Sequence, residues 1–378
     1  MTYDFNYAMD YIDLAALGTI ADVIDVRDFE TRFIIDEGIR NIKNPFLKAM
    51  IKNNSFVFRD GITPTKIAFY IAPLINAVCR IGTYEENEKT FKCFLEENEH
   101  LEVETTKRGA DGLETLITQM LRETVNIKNR QNRTKEKGIE EIRNIIEEEH
   151  LNDNKVLIIN NRDLLGKHLN GLVAGQIASD YQKPTLIMKE TSEGVLEGSG
   201  RGYDVDLREL LDKSGLVNYA AGHSRAFGVS VNSSNIEDLN KFLNQELIEY
   251  DGEIKHSVDL IYEGEIPYQD ILSLAKLDKF YGHGFEDTIV MVKDLSVVER
   301  NITLLEKGPT LKIDCNGVTY IKFRCPTEEC KAILPKNDFG RTKLNIIGKC
   351  SINNFRDEIT PQIIIEDYEI VECEDYYF

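Results

Sequence analysis

A serine and an arginine two residues apart in a glycine-rich run could hold a phosphate. Residues 198–202 read Gly-Ser-Gly-Arg-Gly. Such a run predicts a turn with little side-chain bulk, whose backbone N–H groups can come close to a ligand. Ser199 offers a hydroxyl, and Arg201 a rigid guanidinium fork that matches two phosphate oxygens at once. A plain turn is the competing reading of so short a pattern. Downstream, Ala221-Gly222-His223 precedes an alternating strand, Phe227-Gly228-Val229-Ser230-Val231. The two small residues would let the backbone approach whatever His223 touches, and a structural histidine beside a strand is the alternative. Near the N-terminus, Asp13 and Asp22 sit in an otherwise apolar stretch, residues 8–23. A carboxylate there needs hydrogen bonds, a counter-ion or a metal. Helix capping is the simpler account of both.

The elements that would position these residues can be read from periodicity. Residues 8–23 predict a buried helix running into a Gly-Thr turn and a second apolar segment. Residues 155–248 predict a compact α/β unit. Within it lie a buried strand at Val156, a helix over 171–180 with Gly171, Ala174, Gly175 and Ala178 for close packing, and a strand over Pro184–Met188. An amphipathic helix carrying Leu207, Leu210 and Leu211 and a final helix over 236–247 complete it. Residues 84–105 are acidic and read as solvated. A long helix spans roughly 111–149, with Leu113, Leu116, Ile117, Met120 and Leu121 at helical spacing. Its middle is basic: Arg122, Lys128, Arg130, Arg133, Lys135, Lys137 and Arg143. Such a run is either a solvated helix face or a surface for a phosphate backbone. From residue 257 onward the pattern changes to short β segments, which suggests a small barrel. The acidic end, residues 372–378, reads as a frayed tail.

The chain has 378 residues, enough for two or three domains, and is 42% hydrophobic. Its formal net charge of −20 argues at first against nucleic acid. Net charge is a whole-chain average, however, and binding depends on where the cations sit. Seven cysteines are spread without a disulfide-like pattern, which fits a reducing cytoplasm. Cys325 and Cys330 form the close pair; their spacing exceeds the usual zinc range and no second pair answers it, so a structural role is expected. The first residues lack the basic segment and apolar core of a signal peptide. No apolar run is long enough to span a bilayer, so no membrane partner is expected.

Three motifs in order resemble the DHH phosphoesterase superfamily, in the form carried by the RecJ-like single-strand exonucleases. Residues 13–23, Asp-Leu-Ala-Ala-Leu-Gly-Thr-Ile-Ala-Asp-Val, are similar to that family's DLxALGTxADV motif. Residues 73–80, Pro-Leu-Ile-Asn-Ala-Val-Cys-Arg, are similar to PxxNAxGR, with Cys79 in place of the glycine. The Gly198–Arg201 and Ala221–His223 stretches resemble the GSxR and GGH elements of its DHHA1 domain, with Ala221 in place of the first glycine. Residues 38–42 resemble its GLxxI helix, 171–179 the helix before the DHHA1 strand, and 184–188 that strand. The C-terminal β region is similar to its OB-fold, where an aromatic face beside cations holds single strands.

The resemblance implies an α/β chain built from a partial DHH domain (1–105), a long connector helix (106–150), a DHHA1 α/β domain (151–250) and a small OB-like β-barrel (251–378). It implies 5′→3′ degradation of single-stranded DNA in repair, recombination and replication. By resemblance Asp13 is a metal ligand and catalytic residue, Asp22 a weaker candidate, and Arg80, Ser199, Arg201 and His223 hold substrate phosphates, His223 also acting in catalysis. Strand contacts are expected from Lys128, Arg130, Arg133 and Lys135 on the connector, and from Tyr281, Phe285, Tyr320, Phe323, Arg324 and Phe355 in the barrel. The family uses two Mn²⁺ or Mg²⁺ ions, which need many oxygen and imidazole ligands. The family's Asp-rich motif and Asp-His-His triplet, which precede the first of these motifs, do not occur in the sequence. The expectation is therefore an incomplete metal site, a second polypeptide bearing the missing motifs, and little or no activity of the isolated chain. Single-strand-binding protein is a further expected partner. The alternatives are a non-catalytic single-strand-binding subunit, or a phosphodiesterase of short oligonucleotides.

Overall fold

The structure is a computed structural model and describes residues 7–162, 164–166, 168–191, 194–252, 255–305, 310–323, 325, 327–334, 340–355 and 358–374. Two compact units emerge: Met1–Pro73 with His256–Phe378, and Leu74–Lys255.

The first unit opens with helices α1 (Ile12–Ala21), α2 (Phe29–Arg40), α3 (Pro45–Asn53) and α4 (Pro64–Tyr70). The Gly18-Thr19 pair does not break α1, as the sequence suggested. The Thr19 hydroxyl donates to the Ala15 carbonyl and keeps the turn helical. Asn44 caps α3, its side chain accepting from the N–H groups of Phe46 and Leu47, with proline at the first helical position. Gly38 lets α2 lie on α1, since a methyl there would meet the Ala16 side chain at 2.4 Å.

The second unit holds α5 (Ala72–Ile81, which begins at the division), α6 (Tyr84–Cys93), the short strands β1 (Glu102–Glu104) and β2 (Leu113–Thr115), and α7 (Leu116–Glu148). Residues 84–93 thus fold as a helix, fixed by a capping box between Thr83 and Glu86. At 33 residues, α7 is roughly 50 Å long. Next come β3 (Leu157–Asn160), α8 (Asn170–Tyr181), β4 (Thr185–Glu190), β5 (Val195–Arg201), α9 (Leu207–Ser214), β6 (Val217–His223), β7 (Ala226–Asn232) and α10 (Ile236–Glu246). These strands form a five-stranded sheet in the order β3-β4-β5-β7-β6, parallel at β3–β4 and antiparallel elsewhere. One face carries Leu157, Ile159 and Ile187, packed with α7 and α8 through Ile139, Ile142, Val173 and Ile177. The other carries Leu186, Met188, Val229 and Val231 against Leu207 and Leu211 of α9 and Leu239 and Leu243 of α10. Strict alternation between two buried faces is what period-two strands require.

The remainder of the first unit comprises β8 (Leu260–Glu263), α11 (Tyr268–Ala275), β9 (Ile289–Val297), β10 (Ile302–Leu305), β11 (Thr310–Cys315), β12 (Val318–Phe323), α12 (Thr327–Lys331), β13 (Arg341–Phe355) and β14 (Glu358–Glu374). Its seven-stranded sheet runs β10-β11-β12-β14-β13-β9-β8. Among the described residues the outer strands β8 and β10 are not paired with each other, so the sheet is open where a closed barrel was expected. Its core is apolar, with Val290, Val292, Leu344, Ile346 and Ile363 fully buried. Cys325 and Cys330 are joined by a disulfide, which a reading from spacing alone did not foresee. Among the described residues no helix is long and apolar enough to cross a membrane.

Candidate phosphate and strand-binding site

Ser199 and Arg201 lie in β5, and His223 ends β6. The Gly-rich run is therefore a strand, and so is Ala221-Gly222-His223. The glycines serve packing. A methyl at Gly200 would come within 2.4 Å of the Phe227 ring, and one at Gly198 within 2.0 Å of the Ile187 carbonyl. Glycine is needed so that β4 and the Phe227 ring can close on β5.

Register then decides what meets. Across β4, β5, β7 and β6 one rung reads Thr185, Arg201, Ala226, His223, and the rung two residues along reads Ile187, Ser199, Gly228, Ala221. A third reads Lys189, Glu197, Ser230, Tyr219. Residues two apart share a face, so these rungs form one surface. Ser199 and Arg201 also converge on α8. A methyl at Gly171 would lie 2.7 Å from Arg201 Nη2 and 3.5 Å from Ser199 Oγ, and one at Gly175 would lie 3.8 Å from Arg201 Nε. The two helix glycines leave the groove in which the guanidinium rests.

Arg201 is half-buried and has no carboxylate partner among the described residues. Its Nη1 donates to the Gly200 carbonyl at 2.7 Å. Burial, and then the like charge of Arg80, push its pKa down, although an arginine stays charged in this range. An uncompensated, partly desolvated guanidinium beside a hydroxyl at a helix start suits an oxyanion. His223 is exposed on the same rung.

Arg80 is exposed near the end of α5, which packs on α7 through Ala77, Val78 and Ile127. Lys128 of α7 is half-buried, and its ammonium donates to Gln131 Oε1 at 2.8 Å. A neutral amide fixes that cation without cancelling it. Burial first, then Lys135 and Arg80, hold the Lys128 pKa below the usual lysine range. Arg201, Arg80, Lys128 and Lys135 thus form one chain of mutually repelling cations. Three other cations of the basic helix are already neutralised. Arg130 makes a forked pair with Glu86, with Nη2 to Oε2 at 2.8 Å, and also donates to the Ile81 carbonyl. Arg122 pairs with Glu114, and Arg143 with Asp180. Arg130 thus ties α6 to α7 through Glu86. Arg133 is exposed and without an ion pair among the described residues.

In the first unit, Asp13 departs from its expected role. It is 2% exposed. Its Oδ2 accepts from the N–H groups of Lys43 at 2.8 Å and Asn44 at 2.7 Å, and its Oδ1 from Leu14 N–H at 2.9 Å. Both oxygens are committed to backbone, pinning α1 to the start of α3. Asp22 is exposed and supplies the C-cap of α1. A metal pair needs several oxygen or imidazole donors. Among the described residues no group of three or more His, Cys, Asp or Glu side chains could hold an ion. The residues present do not fit such a pair.

The expected aromatics divide. Phe285 and Phe323 are exposed, whereas Tyr281 and Tyr320 are buried, Tyr281 with its hydroxyl donating to Thr288 Oγ1. The Tyr281 ring also packs on that of Phe285, with centroids 5.8 Å apart. Arg324 lies outside the described residues. Phe355 ends β13. Tyr219, which shares the site face, was not singled out by any motif; the alternation of residues 217–231 was the available signal.

No family model matches the chain. It is 33% identical over 381 residues to a putative prophage-derived single-strand DNA-specific exonuclease, YorK, of Bacillus subtilis, covering 97% of this chain and 65% of that protein. It is 22% identical over 386 residues to the single-stranded-DNA-specific exonuclease RecJ of the same organism, covering 96% of this chain and 44% of that one. The chain thus spans less than two thirds of these relatives. Its fold is similar to that of RecJ from Thermus thermophilus in complex with Mn²⁺, with a TM-score of 0.68 and 18% identity over 96% of this chain and 50% of the other.

Proposed function

Taking as premise that this is a RecJ-like chain, we propose that it is the strand-holding part of a 5′→3′ single-stranded DNA exonuclease. In this reading Arg201 and Ser199 grip the 5′-terminal phosphate, with His223 of the same rung closing on it. Arg80, Lys128 and Lys135 carry the following phosphates, and Arg133 adds to the field. Each cation contributes by releasing counterions, so affinity falls steeply with salt. Fixing the first phosphate fixes the register of the strand, which is how a binding group contributes to rate.

The observation that carries this reading is Arg201: half-buried, beside Ser199, over two helix glycines, with no carboxylate among the described residues to neutralise it. In this reading Asp13 orders the helices rather than holding the metal pair, since both its oxygens accept from backbone N–H groups. In the first unit, exposed Phe323 of β12 and Phe285, in the segment before β9, offer stacking faces for a single strand. The commitment of Asp13 to backbone favours, for the chain alone, the alternative of a non-catalytic binding subunit.

Fluorescence anisotropy with 5′-phosphorylated and 5′-hydroxyl oligodeoxynucleotides tests the reading. The phosphorylated strand should bind more tightly, and Arg201→Ala should erase the difference while leaving the thermal midpoint unchanged. Equal binding of both strands to the native chain would refute the anchor.

A further inference from the structure

The phosphate-gripping face continues into a cavity that the phosphate does not fill. A space of about 440 Å³ opens at Ser199 and is walled by Tyr219, Glu197, Thr191, Asn170 and Leu165. Gly228 lies beside it, under the Tyr219 ring. A methyl there would lie 4.0 Å from Cε2 of Tyr219 and 3.9 Å from the Gly198 carbonyl, so the tyrosine ring reaches back over the middle rung. Tyr219 is 48% exposed on β6, the edge strand of the sheet. At the far wall, Leu165 is 2% exposed and packs on Gly138 of α7, where a methyl would meet its Cδ2 at 2.2 Å.

We propose that this cavity receives the nucleobase of the nucleotide whose phosphate is held by Ser199 and Arg201, with Tyr219 as its stacking platform. The inference rests on the phosphate anchor proposed above. Neighbouring rungs on one face are separated by two residues, roughly 6.7 Å along the strand. With a phosphate between the Arg201 and Ser199 rungs of β5, the Tyr219 ring, which reaches back over Gly228 of the adjacent β7, borders the same cavity, where the attached base can meet it. The volume falls within the roughly 300–1,000 Å³ of small-molecule sites. Stacking on a tyrosine accepts any base, since every base offers a π-face. The site would thus grip a strand end without selecting sequence, and a lone phosphate would leave the cavity empty.

Calorimetric titration of the full chain with inorganic phosphate, 2-deoxyribose 5-phosphate and dAMP separates the parts. dAMP should bind about tenfold or more tightly than deoxyribose 5-phosphate, the range of one base on one aromatic ring. Tyr219→Ala should remove that gap and leave deoxyribose 5-phosphate binding unchanged, while Tyr219→Phe should keep the gap. Equal affinities of dAMP and deoxyribose 5-phosphate for the native chain, or a gap that survives Tyr219→Ala, would overturn the base site while the phosphate anchor stands. If Arg201→Ala binds all three ligands as the native chain does, the anchor fails and the base site falls with it.

Discussion

Arg201 and His223 pair with the same residue, Ala226, from opposite sides: Arg201 on β5 and His223 on β6 flank it across β7. Two strand spacings of about 4.8 Å set their backbones roughly 10 Å apart, with a methyl between them. That gap accommodates an anion touched by a long arginine from one side and an imidazole from the other. Replacing the arginine by lysine keeps the charge and loses the fork. Arg201→Lys should therefore reduce the preference for a 5′-phosphorylated strand several-fold with little change in affinity for the 5′-hydroxyl strand. An unchanged preference would mean that the fork is not used.

Gly171→Ala tests the same groove without touching a charged group. The added methyl would lie 2.7 Å from Arg201 Nη2 and must displace the guanidinium. Alanine is favoured over glycine in a helix by up to about 1 kcal/mol. The variant should melt at the same or a slightly higher temperature yet bind 5′-phosphorylated strands more weakly. Weakened melting together with intact binding would contradict the groove.

Asp13→Asn separates a structural carboxylate from a metal ligand. The amide nitrogen cannot accept the N–H groups that the Asp13 oxygens serve, and buried hydrogen bonds to a charged group contribute about 1.5–3 kcal/mol. Denaturant unfolding should show a loss of that order, with Mn²⁺ affinity of the chain unchanged. A selective fall in Mn²⁺ affinity at constant stability would return Asp13 to the metal site.

The connector cations predict salt dependence. Lys128→Gln and Lys135→Gln should each lower the slope of log affinity against log salt by about 0.7, the single-strand value per phosphate contact. Arg130→Gln should leave the slope alone and destabilise the α6–α7 contact, because its charge is spent on Glu86. A slope change in Arg130→Gln equal to that of Lys128→Gln would undo the sorting.

The start of α7 should respond to acid. Hydrogen bonds from Arg122, and also from Thr105, hold the Glu114 carboxyl down at about 2. Because the folded value lies below the unfolded one of about 4.3, the stabilisation is complete above that pH and is lost as pH falls toward 2. Amide exchange at residues 113–118 should accelerate across that window. Flat exchange rates down to pH 2 would contradict the pairing.

The sequence by itself determined the kinds of elements and their order, because periodicity and caps act within a few residues. The long helix α7, the α/β order of the second unit and the β character of the region after residue 257 follow from such local signals. It also named Ser199, Arg201, His223 and Arg80 through motif resemblance. What only the tertiary structure decided was pairing. The glycine run of residues 198–202 reads as a turn locally, because glycine permits one; it is mostly strand because Phe227 and Ile187 press on it from neighbouring strands. Strand preference depends on such partners far more than on the residue itself. Charge was decided in the same way. Lys128 and Arg130 are two residues apart on one helix, yet Arg130 meets Glu86 and Lys128 meets a neutral amide. Burial of Asp13 among backbone donors from residues 43 and 44 was likewise beyond any local pattern. Coulomb and hydrogen-bond energies depend on distances through space, and those distances are set by chain closure between residues far apart in sequence.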